Sequence, residues 1–315
     1  MATPASYDVN VKEQTGRELV RNGVKYSMAD QVARFANAKA TNNARYLDIT
    51  TVYDPTPIKG MRILITGAEQ GLGFELVKEI VKQGGHAIQA GRVSSDILDK
   101  FAAENPGKVT IITGIDVCKT EAMSKMCDEL GEGLDILINC AGYFYGPAES
   151  VGVGCEGHMN YQHQLLQIDV CALGPLRITH ALYKAGKLER NGKIGKVIII
   201  TSQAGSCEWR YTQNPTPAVG AEFHGNYGHH MSRAATNIMG CILSQELKAA
   251  NISVQMLHPG FNRTAMTQKY AHIWDIEGAV EPEIGAMRVL YESLKADMST
   301  TGTVINCEDG LRIPW

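Results

Sequence analysis

Short unbroken apolar runs and stretches of helical periodicity alternate along most of this chain. The runs fall at residues 63–65, 86–90, 109–113, 134–138, 197–202, 252–258 and 302–306, and several lead into Gly or Pro. A run without polar alternation is the pattern of a strand buried on both faces, as in a parallel sheet. Apolar residues recur at helical spacing over 74–81, 162–185, 233–247 and 283–294. Strands that alternate with helices predict an α/β fold, a Rossmann-type doubly wound parallel sheet of about seven strands. No internal repeat is visible.

Residues 1–60 precede the first of these strands. Their charges nearly balance. Helical spacing occurs over 11–20 and again after Ser27, where Asp30 three residues on gives a capping-box pattern ahead of Val32, Ala33, Phe35 and Ala36. Asp54-Pro-Thr-Pro-Ile-Lys-Gly60 reads as a linker. The expected organisation is therefore an N-terminal helical extension and linker over 1–60, packed on the core or on a neighbouring subunit, and one domain over 61–315.

The chemistry concentrates after the first strand. Ile63–Ile65 runs into Thr66 and Gly67; Gly71, Leu72 and Gly73 follow, and then a helix. Glycines let a backbone turn tightly and approach a ligand with no Cβ in the way. A helix N-terminus offers free N–H groups and positive dipole to a pyrophosphate. The end of the second strand meets the adenosine ribose in dinucleotide folds, where an acid selects a 2′-hydroxyl and an arginine a 2′-phosphate. Residues 89–93 hold no acid, and Arg92 is in place. This favours NADP(H).

Composition removes other classes. Charged residues make up 20% of the 315, with a formal net charge of −3, so nothing calls for nucleic acid or an anionic membrane. The eight cysteines, at 118, 127, 140, 155, 171, 207, 241 and 307, form no Cys-x-x-Cys pair. That argues against a zinc site or a disulfide framework and for a cytoplasmic or other reducing intracellular compartment. The N-terminus carries no apolar signal core, and no run approaches the ~18 apolar residues of a membrane span.

The ordered motifs resemble the short-chain dehydrogenase/reductase family, over residues 61–315. Gly67-x3-Gly71-x-Gly73 is similar to the family's glycine turn, although Glu69 and Gln70 stand where many NADP-dependent relatives carry a base. Asp116-Val117 resembles the adenine-contacting Asp-Val. Asn139-Cys140-Ala141-Gly142 is similar to Asn-Asn-Ala-Gly, which lines the cofactor ribose. Pro259-Gly260 with Thr264 resembles the segment that holds the nicotinamide carboxamide. Asp309-Gly310 and a terminal Trp315 resemble the sniffer/C-factor branch of carbonyl reductases.

The resemblance implies an Asn-Ser-Tyr-Lys tetrad, and here it departs. Ser202 matches the serine that orients the carbonyl. Aligning on Ser232-Arg233-Ala-Ala-Thr-Asn237 places Arg233 at the lysine and His229 at the tyrosine. Leu173-Gly-Pro-Leu176 places Cys171 at the asparagine. A nearby cation lowers the pKa of either proton donor. A tyrosine then moves from ~10 toward neutrality, whereas a histidine moves from ~6.5 further below it. His229 should be neutral and better suited to accept a proton than to give one. Tyr227, if its segment is not yet helical, and Tyr211, in a long aromatic loop with Trp209, Pro215, Pro217 and Phe223 that would fold over the site as a lid, are candidate replacement acids; the alternative for each is ordinary packing. His224, His229 and His230 lack the spacing and carboxylate of a metal site, and no metal is expected.

The function implied is an NADP(H)-dependent oxidoreductase of a carbonyl or alcohol substrate with a non-standard active site. The alternative is an NADP(H)-binding pseudoenzyme serving as a structural, sensor or partner-binding subunit. Relatives pair through the helices expected here at 162–185 and 230–247, which implies a homodimer or homotetramer.

Overall fold

The computed structural model describes residues 19–147, 149–151, 158–213 and 225–315. In chain order the strands are β1 Leu19–Arg21, β2 Val24–Tyr26, β3 Arg62–Thr66, β4 His86–Ala90, β5 Val109–Ile112, β6 Ile136–Asn139, β7 Glu189–Arg190, β8 Lys193–Ile194, β9 Lys196–Ile200, β10 Ser253–His258 and β11 Val304–Asn306. Seven of them form one parallel sheet in the order β11-β10-β9-β6-β3-β4-β5. These are the seven expected runs, with ends shifted by up to two residues.

The runs are unbroken because both faces of the sheet are covered. Leu64, Ile88, Leu137, Val197 and Val254 point into one apolar core, while Ile63, Ala87, Ile136, Ile198 and Leu257 point into the other. The helix Gly71–Lys82 covers the second face together with Pro282–Lys295. The first is covered by Gly174–Lys184 and Tyr227–Glu246. Chain order reverses between β3 and β6, so β3 leads to β4 on one side and β6 to β9 on the other. A crevice opens at the C-terminal ends of strands where this happens, and ligands bind there in open α/β sheets.

Several expectations change. Residues 19–21 are strand, not the end of a helix: β1 pairs antiparallel with β2 across Asn22-Gly23, whose φ angles of 51° and 77° suit the tight hairpin turn that Asn-Gly favours. The rest of that expected helix lies outside the described residues. β7 and β8 repeat the device at Asn191-Gly192. Asp30, not Ser27, caps the helix Gln31–Ala40 by accepting from the Ala33 amide at 2.7 Å, and Ser27 Oγ donates to Asp309 at 2.6 Å. The helix after β9 begins at Tyr227 rather than near 233.

The expected 162–185 helix is present as Tyr161–Ile168 and Gly174–Lys184, joined by a π-helical turn at Asp169–Leu173. The segment 203–213, expected as loop, holds a 3-10 turn, Gln203–Gly205, and a helix, Cys207–Gln213. The linker packs inward, with Ile58 fully buried. The tail bridges the hairpin to the sheet, since Arg312 pairs with both Tyr26 and Ile305.

Candidate functional site

Steric crowding closes the crevice tightly at the glycine turn. Gly67 has φ +68°, and a Cβ there would lie 2.7 Å from Ala141 Cα. A Cβ on Gly73 would run into the Gly67 carbonyl oxygen. Gly71 has φ +54° and faces Thr264, whose Cγ2 would be 3.8 Å from an added Cβ. Thr66 Oγ1 accepts from the amides of Cys140 at 3.1 Å and Ala141 at 3.0 Å, which ties the ends of β3 and β6 together. Among the described residues no side chain caps the helix that starts at Gly71, which leaves its leading N–H groups available to an anion. Leu72 packs on the core below.

Arg92 is exposed just beyond β4, and among the described residues its guanidinium has no hydrogen-bond or ion-pair partner. Its carbonyl accepts from the Gly114 amide at 3.0 Å, and Gly91 accepts from Ile115 at 2.9 Å. Asp116 Oδ1 accepts from the Cys118 amide at 2.9 Å. These bonds hold Arg92 beside Asp116-Val117. Ser95 Oγ donates to the Glu69 carbonyl at 2.7 Å and joins this edge to the glycine turn.

On the far side, Asn139 is buried at the end of β6 and its Oδ1 has no partner among the described residues. A Cβ on Gly142 would lie 3.2 Å from Nη2 of Arg233. Arg233 is itself buried and donates from Nη1 to the Ile200 carbonyl at 3.2 Å, with Nε unpartnered. Burial pushes the Cys140 thiol up to about 12, despite the Arg233 charge nearby, so it is an inert neutral group. The Pro259-Gly260 segment is folded on itself: Asn262 Nδ2 donates to the Pro259 and Gly260 carbonyls at 3.3 and 3.1 Å.

Ser202 ends this wall at the C-terminal side of β9, its Oγ accepting from the Ala204 amide at 3.1 Å. His229 lies one helical turn before Arg233. Burial, then the Arg233 charge, then His230, Arg210 and Lys269 hold its imidazole well below the ordinary histidine value. Its Nδ1 has no partner among the described residues. Phe144 meets the ring edge-on at 4.8 Å between centroids. Tyr227 opens the same helix, about 200° round from His229, and its ring folds back over Gly225. The non-helical geometry that would swing it toward the site is absent. The Tyr211 side chain and Pro215, Pro217, Phe223 and His224 lie outside the described residues. Cys171 sits in the π-turn, its Sγ 3.7 Å from the Tyr143 carbonyl and its own carbonyl accepting from Thr236 Oγ1 at 2.8 Å. Among the described residues no cluster of metal ligands occurs.

Three features escaped the sequence reading. Lys269 Nζ lies 4.2 Å from the centre of the Phe144 ring and donates to the Gly146 carbonyl at 3.0 Å, spanning from the segment after Thr264 to the loop after β6. Glu149 is buried and accepts from the Gly228 amide at 3.0 Å and Gln164 Nε2 at 2.8 Å, fixing the start of the His229 helix. His230 Nε2 meets Arg210 at 2.8 Å, and burial with that cation takes His230 to about 4. The only available sequence signal was a density of aromatic and histidine residues near 143–163 and 224–230.

The sequence model described as short chain dehydrogenase matches residues 61–273. A 1-hydroxy-2-glutathionyl-2-methyl-3-butene dehydrogenase of Rhodococcus sp. (strain AD45) is 28% identical over 212 residues, 66% of this chain and 80% of that one. The carbonyl reductase Sniffer of D. melanogaster superposes with a TM-score of 0.66 at 22% identity, covering 81% of this chain and 100% of that one. An NADPH-bound carbonyl reductase from chicken fatty liver gives 0.65 at 20% identity, covering 82% and 100%. Among the described residues no helix is long and apolar enough to cross a membrane.

Proposed function

Because this chain belongs to the short-chain dehydrogenase family, we propose that it binds NADP(H) and acts as an oxidoreductase on a small carbonyl or alcohol substrate through a non-standard site. The observation that carries this is the crowded crevice at the strand-order reversal, where Gly67 meets Ala141, Gly71 meets Thr264 and Gly142 meets Arg233. Bound nicotinamide supplies or takes up hydride. Gly67, Gly71, Leu72 and Gly73 would hold the pyrophosphate, Arg92 the 2′-phosphate, and Asp116 with Val117 the adenine. Asn139, Ala141, Gly142 and Arg233 would line the nicotinamide ribose, and Pro259, Gly260 and Thr264 the carboxamide.

Ser202 orients the substrate oxygen. His229, neutral at pH 7, accepts a proton from a substrate hydroxyl, so alcohol oxidation is the direction these residues suit. An NADP(H)-binding pseudoenzyme is the second reading. The observation that favours it is the packing of the unprotonated His229 ring against Phe144.

The test is titration with NADPH and NADH, followed by alcohols with NADP+ and carbonyls with NADPH. NADPH should bind about tenfold tighter than NADH, and Arg92→Ala should erase that preference. Turnover in either direction supports the enzyme. Tight binding without turnover across the panel supports the second reading, and a folded protein that binds no nucleotide overturns both.

The same reading takes 61–315 as the nucleotide-binding domain with 1–60 as its extension, in a reducing compartment. We also propose a homodimer or homotetramer. Tyr161, Leu165, Leu166 and Leu173 lie exposed beside exposed Met231, Ile238 and Ile242 on the adjoining helix, and contiguous apolar surface of this kind marks an interface. Ile238→Glu combined with Ile242→Glu should give monomers by light scattering; an unchanged mass rejects this surface.

A further inference from the structure

Arg34 and Glu308 lie 274 residues apart, and both fall outside the segment 61–273 that the family's sequence model matches. They form an ion pair of 2.9 Å with 2% and 0% of their side chains exposed. Charges are not taken out of water without compensation, and a buried pair is retained more readily for the arrangement it specifies than for stability. The arrangement here is specific. Glu308 Oε1 accepts from the Phe261 amide at 3.1 Å, and a Cβ on Gly260 would lie 2.6 Å from Glu308 Cγ. Arg34 Nη2 donates to Gln203 Oε1 at 2.9 Å, next to Ser202. Gln31 Nε2 donates to Glu308 Oε1 at 2.9 Å and to the Glu277 carbonyl at 3.2 Å. Phe35 packs on Gly278, whose φ is +70°.

One helix thus reaches three separate segments: directly, the turn that follows Ser202 and the end of the stretch after Thr264, and, through Glu308, the loop 259–264. None of the three lies in the sheet: the loop 259–264 and the stretch ending at Val280 bond to each other, the Val280 amide to the Phe261 carbonyl at 3.0 Å, and the helix joins the turn after Ser202 to them. We propose that the helix Gln31–Ala40, through the buried Arg34–Glu308 pair, is a positioning element for the nicotinamide end of the site. This rests on the NADP(H) reading above. The extension is then part of the working site and not a detachable arm. It would act on the loop that meets the nicotinamide and leave the glycine turn, on the other side of the crevice, undisturbed.

Two variants test it on the full chain. Arg34→Met with Glu308→Leu removes both charges of the pair together, so neither member is left without the other. Gln203→Ala cuts only the link to the Ser202 turn. The probes are NADPH and 2′,5′-ADP, which carries the adenosine end without nicotinamide. In the double variant, NADPH affinity should fall about tenfold while 2′,5′-ADP affinity holds within about twofold, because only the loop geometry is lost. In Gln203→Ala, hydrogen–deuterium exchange should rise at residues 201–206 and not in the glycine turn, a readout that survives if the double variant does not fold. An unchanged NADPH to 2′,5′-ADP ratio in a folded double variant, a parallel loss of both, or unchanged exchange at 201–206 overturns the proposal. A wild-type protein that binds neither nucleotide overturns the cofactor reading instead, and leaves the exchange result to decide whether the brace exists.

Discussion

His229→Tyr, Arg233→Lys and Cys171→Asn combined in one chain should raise kcat/KM for NADPH-dependent carbonyl reduction by about 10²–10⁴-fold, the range of a well-placed general acid. The backbone for it is in place. Residues 229 and 233 are one turn apart on the helix Tyr227–Glu246, and the π-turn Asp169–Leu173 is pinned to that helix by the Thr236 to Cys171 bond of 2.8 Å. On the proposed reading, what opposes reduction is the sign of the shift. A buried cation beside a histidine drives it further from holding a proton, whereas beside a tyrosine it makes the proton easier to give. The present His229 is held well below its ordinary value by burial first and Arg233 second. Single replacements should recover much less, since such groups act as a unit. The check is loss of NADPH absorbance over a carbonyl panel. A triple variant that binds NADPH and stays inactive would mean that the cleft itself, with Phe144 and Lys269 in it, no longer admits a substrate.

The second large effect is on stability in mild acid. Burial takes His258 to about 4, and both its ring nitrogens lack partners among the described residues. His230 is also taken to about 4, and His229 is held well below 6.5. All three folded values are depressed, so their contribution is complete above the unfolded value of ~6.5 and is lost as pH falls toward the folded values. Each such group contributes a slope of about 1.4 kcal/mol per pH unit in that window. His230 is partly open to solvent, and screening reduces its share. Between pH 6.5 and 5 the protein should lose about 3–5 kcal/mol, a large part of the whole stability of many domains. Glu308 acts later: burial alone would raise it, but Arg34 and Arg288 bring it to about 2, so its contribution disappears only below the ordinary carboxylate value of 4.5. Urea midpoints measured from pH 7.5 to 5 should fall steeply, and His258→Asn should reduce the slope by about a third of its value. A flat profile over that range would refute the assignment.

Much of the fold was legible because both faces of the sheet are covered, which makes each strand an unbroken apolar run. The glycine turn was legible for a local reason too, since strand, turn and helix are neighbours in sequence. Both hairpins carry the Asn-Gly turn signal in the sequence; at Asn22-Gly23 it competes with helical spacing over 11–20, which ends two residues before it. The π-turn around Cys171 left no mark in the pattern, because a single wide turn shifts helical spacing by too little to read. The Arg34–Glu308 brace was not legible. Glu308 opens the terminal Asp309-Gly310 stretch without a role of its own there, Arg34 belongs to no motif, and an arginine in an amphipathic helix reads as surface.

The sequence by itself determined the parallel α/β architecture, the position of the glycine turn, the departures at 171, 229 and 233, and the direction in which Arg233 shifts His229. These depend on local spacing and on the sign of a charge. Only the tertiary structure decided that Tyr227 is already helical, that Phe144 closes on His229, and that a helix from the first forty residues braces loops more than 160 residues away. Those outcomes depend on which buried groups meet after the chain has closed on itself. Spacing along a sequence carries no record of that until the packing is known.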